Sequence, residues 1–224
     1  MLRTWFRATV LSCFFFTNAE AQSNLRPFVG VAGGIATLAA DARSEITPSS
    51  VEAALYKPEN GPALNVFVGS HFHDYLTVQV NYVWNRNDVA LTSLRATGVD
   101  LSFYEVPRTS SQHAMVGDLL LYFRERRRVV RPYLSAGVGV VRLEMRANGE
   151  GLVRNAALPP ASSGTTRALL RVAVGIDVAL GREWSARYSF SESLSGNPIS
   201  AQLFPPGQRN LANFQNLFGV VRAF

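Results

Sequence analysis

Along most of the chain, apolar residues recur at every second position. Leu76, Val78, Val80, Tyr82 and Trp84 alternate with Thr77, Gln79, Asn81, Val83 and Asn85. Ala168, Leu170, Val172, Val174, Ile176, Val178 and Leu180 alternate with Leu169, Arg171, Ala173, Gly175, Asp177 and Ala179. A period of two marks a β-strand with two unlike faces, and no stretch of comparable length carries a helical period. The second run is about twice the length of an average soluble strand, roughly five or six residues. It suits a strand that crosses a bilayer at a tilt, which needs about 9–11 residues. Read throughout, the pattern predicts eight strands over residues 25–38, 63–72, 75–87, 111–124, 130–145, 166–180, 184–194 and 211–224.

The connections between these strands alternate in length. His73-Asp74, Glu125 to Val129 and Gly181-Arg182-Glu183 are short, whereas 39–62, 88–110, 146–165 and 195–210 are long. An up-and-down barrel with both termini in the periplasm has short turns on that side and longer loops outside. The long connections hold Pro48, Pro58, Pro62, Pro107, Pro159, Pro160, Pro198, Pro205 and Pro206, nine of the 11 prolines. Proline cannot donate to a ladder and is expelled from central strands; Pro27 and Pro132 fall near strand starts. In the first loop, Ser50 to Tyr56 is expected to form a short capped helical turn.

The two ends add to the picture. Arg3 and Arg7 precede an apolar run from Ala8 to Phe16 and then Ala19-Glu20-Ala21, the anatomy of a secretory signal peptide cleaved before Gln22. The run is far below the ~20 residues of a spanning helix. The expected division is therefore a signal peptide over 1–21 and one barrel domain over 22–224. Cys13, the single cysteine, falls in the removed part, and phenylalanines follow it where a lipidated chain would be polar. At the other end, Phe224 closes a strand with Val220, Phe218 and Phe214 on its face, although Arg222 and Asn216 interrupt it.

Arg131-Pro132-Tyr133-Leu134-Ser135-Ala136-Gly137-Val138-Gly139 resembles a segment of small outer-membrane β-barrel domain proteins of the OmpA/OmpX-like kind. So do Gly175 to Leu180, Trp184, and Arg187-Tyr188-Ser189-Phe190. The resemblance covers the mature chain and implies an all-β fold, an eight-stranded antiparallel transmembrane barrel in the bacterial outer membrane. It implies as partners the outer-membrane lipids and the barrel-assembly machinery, the latter through the C-terminal strand. It carries no catalytic signature, and a fold of this kind hosts many functions.

Composition sharpens this reading. Only 17% of residues are charged, 47% are hydrophobic, and the net charge is +6, carried almost wholly by arginine because Lys57 is the one lysine. Small Gly137, Gly139 and Gly175 fall on the inward face of a narrow barrel, beside bulkier neighbours. Asp118, Arg167, Arg171, Asp177 and Arg187 also take inward positions, and buried arginines need carboxylates or hydrogen bonds. An interior ionic network that fixes register is expected, with a selective ion path as the functional alternative. Arg126, Arg127 and Arg128, flanked by Arg124 and Arg131, are assigned to phosphate headgroups at the rim, and nucleic acid is not an expected partner. Phe72, Tyr82, Trp84, Phe123, Trp184 and Phe224 are assigned to interfacial girdles.

Candidate chemistry is sparse. His71 and His73 share a strand face near Asp74, but no third ligand completes a metal site, so neither metal nor cofactor is expected. Ser110, Ser111 and His113 resemble a Ser/His pair of lipid-modifying barrel enzymes, without a Gly-x-Ser-x-Gly elbow. The expected function is a structural or binding outer-membrane barrel without catalysis, its loops meeting an extracellular ligand the sequence does not name. The alternatives are a lipid-modifying barrel enzyme and a soluble lipocalin-like barrel whose apolar residues face inward.

Overall fold

The computed structural model describes residues 25–200 and 203–224; the expected signal segment, residues 1–21, lies outside them. Among the described residues there are eleven strands and no α-helix. They are β1 (Arg26–Leu38), β2 (Asp41–Thr47), β3 (Ser50–Pro58), β4 (Gly61–His71), β5 (Leu76–Thr97), β6 (Asp100–Tyr122), β7 (Val130–Ala147), β8 (Leu152–Arg154), β9 (Ser162–Ala179), β10 (Trp184–Gly196) and β11 (Asn210–Ala223). All pairings are antiparallel, and eight strands close a ring in the order β1, β4, β5, β6, β7, β9, β10, β11 and back to β1. Closure runs from Phe28 opposite Ala223 to Leu38 opposite Asn213. A closed ring pairs every backbone group of its wall, the condition for a sheet to stand in hydrocarbon.

Residues 72–75, 123–129 and 180–183 form three short turns at the end that holds the start of β1 and the end of β11. The other end carries β2–β3, the turn at Gly98 and Val99, the connection with β8, and residues 197–200 and 203–209. Short turns mark the periplasmic side and longer connections the outside. Around the ring the outward positions form an apolar belt. It includes Val29 and Val31, Val66 and Val68, Val78 and Val80, Leu119 and Leu121, Leu134 and Val138, Val172 and Val174, and Phe218 and Val220, all exposed in the isolated chain.

The belt ends where the outward positions become polar. On β5 this happens at Arg86, on β6 at His113 and on β7 at Arg142, and register places these close together: Arg86 opposite Ser111, His113 opposite Arg142. From Leu76 to Asn85 is about one membrane crossing. Beyond it β5 runs on to Thr97 and β6 starts at Asp100, so 22- and 23-residue strands project past the belt. β3 pairs along this extension of β5 from Pro58–Val89 to Ser50–Thr97, β2 pairs with β3, and β8 pairs with β6. The result is an outer lobe with its own apolar core of Leu38, Tyr56, Leu91, Tyr104, Met145, Ile199 and neighbours.

Three expectations are corrected here. Residues 88–110 are not a long loop but the distal halves of β5 and β6, joined by a tight turn in which Gly98 has φ of 59°, a left-handed value suited to glycine. Ser50 to Tyr56 is not a helical turn; it is most of β3, alternating Glu52, Ala54 and Tyr56 inward with Val51 and Leu55 outward. Pro107 lies inside β6. Its carbonyl accepts from the Asn148 amide at 3.2 Å, between the end of β7 pairing at Arg108 and the start of β8 pairing at Glu105. The missing N–H faces that gap, so no ladder bond is lost.

Candidate functional site

The lumen is filled from bottom to top by side chains. Arg187 is its centre: Nε donates to Asp177 Oδ1 at 2.6 Å and Nη2 to Oδ2 at 2.7 Å. Nη1 donates to Gln79 Oε1 at 2.7 Å and Nη2 also to the Tyr122 hydroxyl at 2.9 Å. The Tyr122 hydroxyl in turn donates to Asp177 Oδ2 at 2.7 Å. The guanidinium sits 4.8 Å from the Phe67 ring centre and 5.1 Å from that of Tyr133, so aromatic faces cover what the carboxylate does not.

A second pair lies higher. Arg171 Nη1 donates to Asp118 Oδ2 at 3.1 Å, and Asn81 Nδ2 donates to the same oxygen at 3.0 Å. Gln79 donates to Asn81 at 2.6 Å and so joins the two centres. Above them Asn213 donates to Asn85 and Gln112. Small residues make room for this: a Cβ at Gly137 would overlap the Asp118 carboxylate, and one at Gly175 would overlap the Tyr133 ring. The lumen between Asn65, Gln79, Asp118 and Arg187 retains a cavity of about 10 Å³, room for about one water molecule.

The structure brings together four of the five sequence-predicted network residues. Arg167 stands apart: it shares the inward parity of Leu169 and Arg171 but lies above the packed level, exposed, beside Gly196. Tyr122, Gln79, Asn81 and Asn213 join the lumen network beyond the residues the sequence pattern indicates, although Gln79, Asn81 and Asn85 alternate on one face of β5. That polar face was the available signal.

At the outer mouth, the β10–β11 connection folds inward and buries Ile199 and Leu203. Asp41 accepts a short hydrogen bond from the Gln208 amide, and Ser93 donates to the Phe204 carbonyl at 2.9 Å. Burial within the lobe pushes the Tyr56 phenol up to about 12. The lobe's outer surface exposes apolar side chains outside the belt: Val99 is 101% exposed, Ile46 76% and Leu152 69%, with Leu158 and Val153 nearby in sequence to Leu152.

The rim residues divide by place. Phe72, Phe123, Trp184 and Phe224 are exposed at the periplasmic turns, where Arg222 lies 5.6 Å over Trp184 and 5.2 Å over Phe224. Trp84 is outward at the opposite rim, opposite His113. Arg127 and Arg128 are exposed, whereas Arg126 turns back to Asp74 at 3.2 Å. The histidine pair separates: His71 is buried with Nδ1 2.6 Å from Thr77 Oγ1, and His73 accepts from the Tyr75 amide at the turn. Among the described residues no three His, Cys, Asp or Glu side chains gather as a metal site.

At the outer rim, Ser111 Oγ is 3.4 Å from His113 Nε2, and His113 Nδ1 is 2.7 Å from the Tyr82 hydroxyl. Glu144 stands opposite Ser111 on β7, but Arg142 Nε donates to it at 2.7 Å and Arg146 at 3.5 Å. The Arg142 hydrogen bond holds the Glu144 carboxyl below its usual range.

The family profile described as "Outer membrane protein beta-barrel domain" matches residues 7–220. No curated protein sequence matches the chain. Among solved structures, the outer membrane protein OprG from Pseudomonas aeruginosa is similar at TM-score 0.51 and 12% identity, over 89% of this chain and 96% of that one. Neisserial surface protein A is similar at TM-score 0.48 and 14% identity, over 88% and 97%. The outer membrane protease OmpT from Escherichia coli is similar at TM-score 0.46 and 6% identity, over 91% and 98%. At 12% identity the likeness to OprG is one of fold.

Proposed function

Because the chain belongs to the outer membrane protein β-barrel domain family, a protein of the bacterial outer membrane, we propose that it is a non-conducting, non-catalytic scaffold that displays a binding surface outside the cell. The observation that carries this is the outer lobe. Two strands of the wall extend well past the lipid belt, recruit β2, β3 and β8, and build an apolar core of their own. Such an investment leaves Ile46, Val99 and Leu152 in water, and exposed apolar residues on a rigid support mark contact sites. Two buried ion pairs crossing the lumen, with a cavity of about 10 Å³ beside them, support a plug over an ion path or a lipocalin-like chamber. Outer-membrane lipids around the belt and the assembly machinery at β11 are the partners this reading includes, after removal of residues 1–21.

The test uses whole cells displaying the protein, incubated on immobilised matrix and serum proteins. Retention on at least one surface should exceed that of cells without the protein, and I46S/V99S/L152S should abolish the excess. Equal retention of all three strains would reject the contact reading.

A lipid-modifying enzyme is the second reading, favoured by Ser111 and His113 lying together at the lipid–water boundary. Three features weaken it. The Ser–His distance is long, the carboxylate opposite is committed to two arginines, and β6 is paired on both sides at Ser111, so its amides are not free to form an oxyanion hole. Mass spectra of lipid A that differ between wild type and S111A would favour the enzyme.

A further inference from the structure

The periplasmic mouth carries a feature that the scaffold reading does not use. A cavity of about 410 Å³ opens there, lined by Arg26, Arg126, Arg127, Arg128, Arg131 and Arg182. The carboxylates on its wall are already engaged. Asp177 has both oxygens bonded to Arg187, and Glu183 pairs with Arg222 at 3.4 Å. Asp74, on the neighbouring turn, pairs with Arg126. Among the described residues, none of Arg26, Arg127, Arg128, Arg131 and Arg182 is ion-paired with a carboxylate.

Arg131 shows that the site is built rather than incidental. It is 7% exposed, its guanidinium is held 3.8 Å above the Tyr122 ring, and Nη2 donates to the Asp74 carbonyl at 2.9 Å. Its Nε is buried without a hydrogen-bond partner. A buried charged donor left unpaired is costly, and the same arginine lines the hollow. Four of the other arginines add positive charge around the same hollow, from the start of β1, from the β6–β7 turn and from the β9–β10 turn. Several planar forks converging on one concave space fit a tetrahedral oxyanion carrying more than one negative charge.

We propose that this vestibule binds a phosphate-bearing anion, with Arg131 as the fixed donor at its floor and Arg127, Arg128 and Arg182 closing over it. The chemistry is the same for the headgroup of an inner-leaflet phospholipid and for a free periplasmic phosphate, and the experiment separates them. Purified protein in zwitterionic detergent is titrated calorimetrically with inorganic pyrophosphate. In parallel, native mass spectrometry follows phosphatidylglycerol, with phosphatidylcholine as the control lipid.

Binding of at least one probe is expected, weakened at least tenfold in R127A/R128A/R182A. These substitutions lie on exposed turns, and retention of heat-modifiable migration verifies the barrel. R131K keeps the charge but not the fork and should weaken binding by a similar factor. Pyrophosphate binding alone identifies a soluble ligand, phosphatidylglycerol binding alone a headgroup, and binding of both the shared chemistry. Binding of neither probe, or unchanged binding in the folded triple variant, overturns the proposal.

Discussion

Replacing Asp177 by asparagine tests whether the ion pairs hold the barrel together as the geometry demands. Asp177 accepts three hydrogen bonds, two from Arg187 at 2.6 and 2.7 Å and one from Tyr122 at 2.7 Å. Asparagine fits the space and keeps one acceptor, but in either orientation its NH2 group faces at least one Arg187 donor, Nε or Nη2. Arg187 is left buried, 4% exposed, without a counter-charge. Breaking one side of such a pair costs about 3–5 kcal/mol. With a urea slope of roughly 2–3 kcal/mol/M, the unfolding midpoint should fall by about 1–2.5 M. The assay is reversible urea unfolding in lipid vesicles, followed by the fluorescence of Trp84 and Trp184. D177L/R187M removes both charges, and replacing a whole buried pair by apolar groups is often neutral or better. It should therefore recover most of the loss. An unmoved midpoint in D177N, or a double variant as unstable as the sum of the single changes, would refute the reasoning.

Other consequences are as direct. G175V should destabilise by about 1–3 kcal/mol in the same assay, because its side chain must overlap the Tyr133 ring and the wall cannot yield without strain. The Tyr56 phenol binds its proton more tightly folded than unfolded, so its contribution is complete below about pH 10 and is lost as pH rises toward about 12. Limited proteolysis of the outer lobe should accelerate across that window in wild type and less so in Y56F.

The eight strands of the ring were legible because the membrane imposes one rule on all of them: oil outward, small or polar groups inward. The outer lobe obeys the opposite rule, and the chain switches between the two within single strands. On β5 the apolar residues Val78, Val80 and Tyr82 point outward, but Val89 and Leu91 point inward. On β6 Met115, Leu119 and Leu121 point outward while Tyr104 and Val106 point inward, and β7 switches from Val138 and Val140 to Leu143 and Met145. A phase reversal read as periodicity looks like the end of a strand, and Pro107 reinforced that impression. Periodicity alone therefore predicts a loop over residues 88–110.

The interior charges were legible for a related reason. An arginine or aspartate on the inward face of a membrane strand has nowhere to go but the lumen, which holds for Asp118, Arg171, Asp177 and Arg187. Parity does not give height along the axis, so Arg167 has the same inward parity yet stands above the packed level. The neutral partners Tyr122, Gln79 and Asn81 carry no charge to draw attention. Their role depends on cross-barrel distances that only the closed ring defines.

Planar-bilayer recording of the purified protein puts the central claim, a packed lumen supporting a displayed surface, to its most direct test. With two buried ion pairs across the lumen and only a cavity of about 10 Å³ beside them, the protein should insert without steady conductance above background. A large, steady conductance from the folded protein would contradict it.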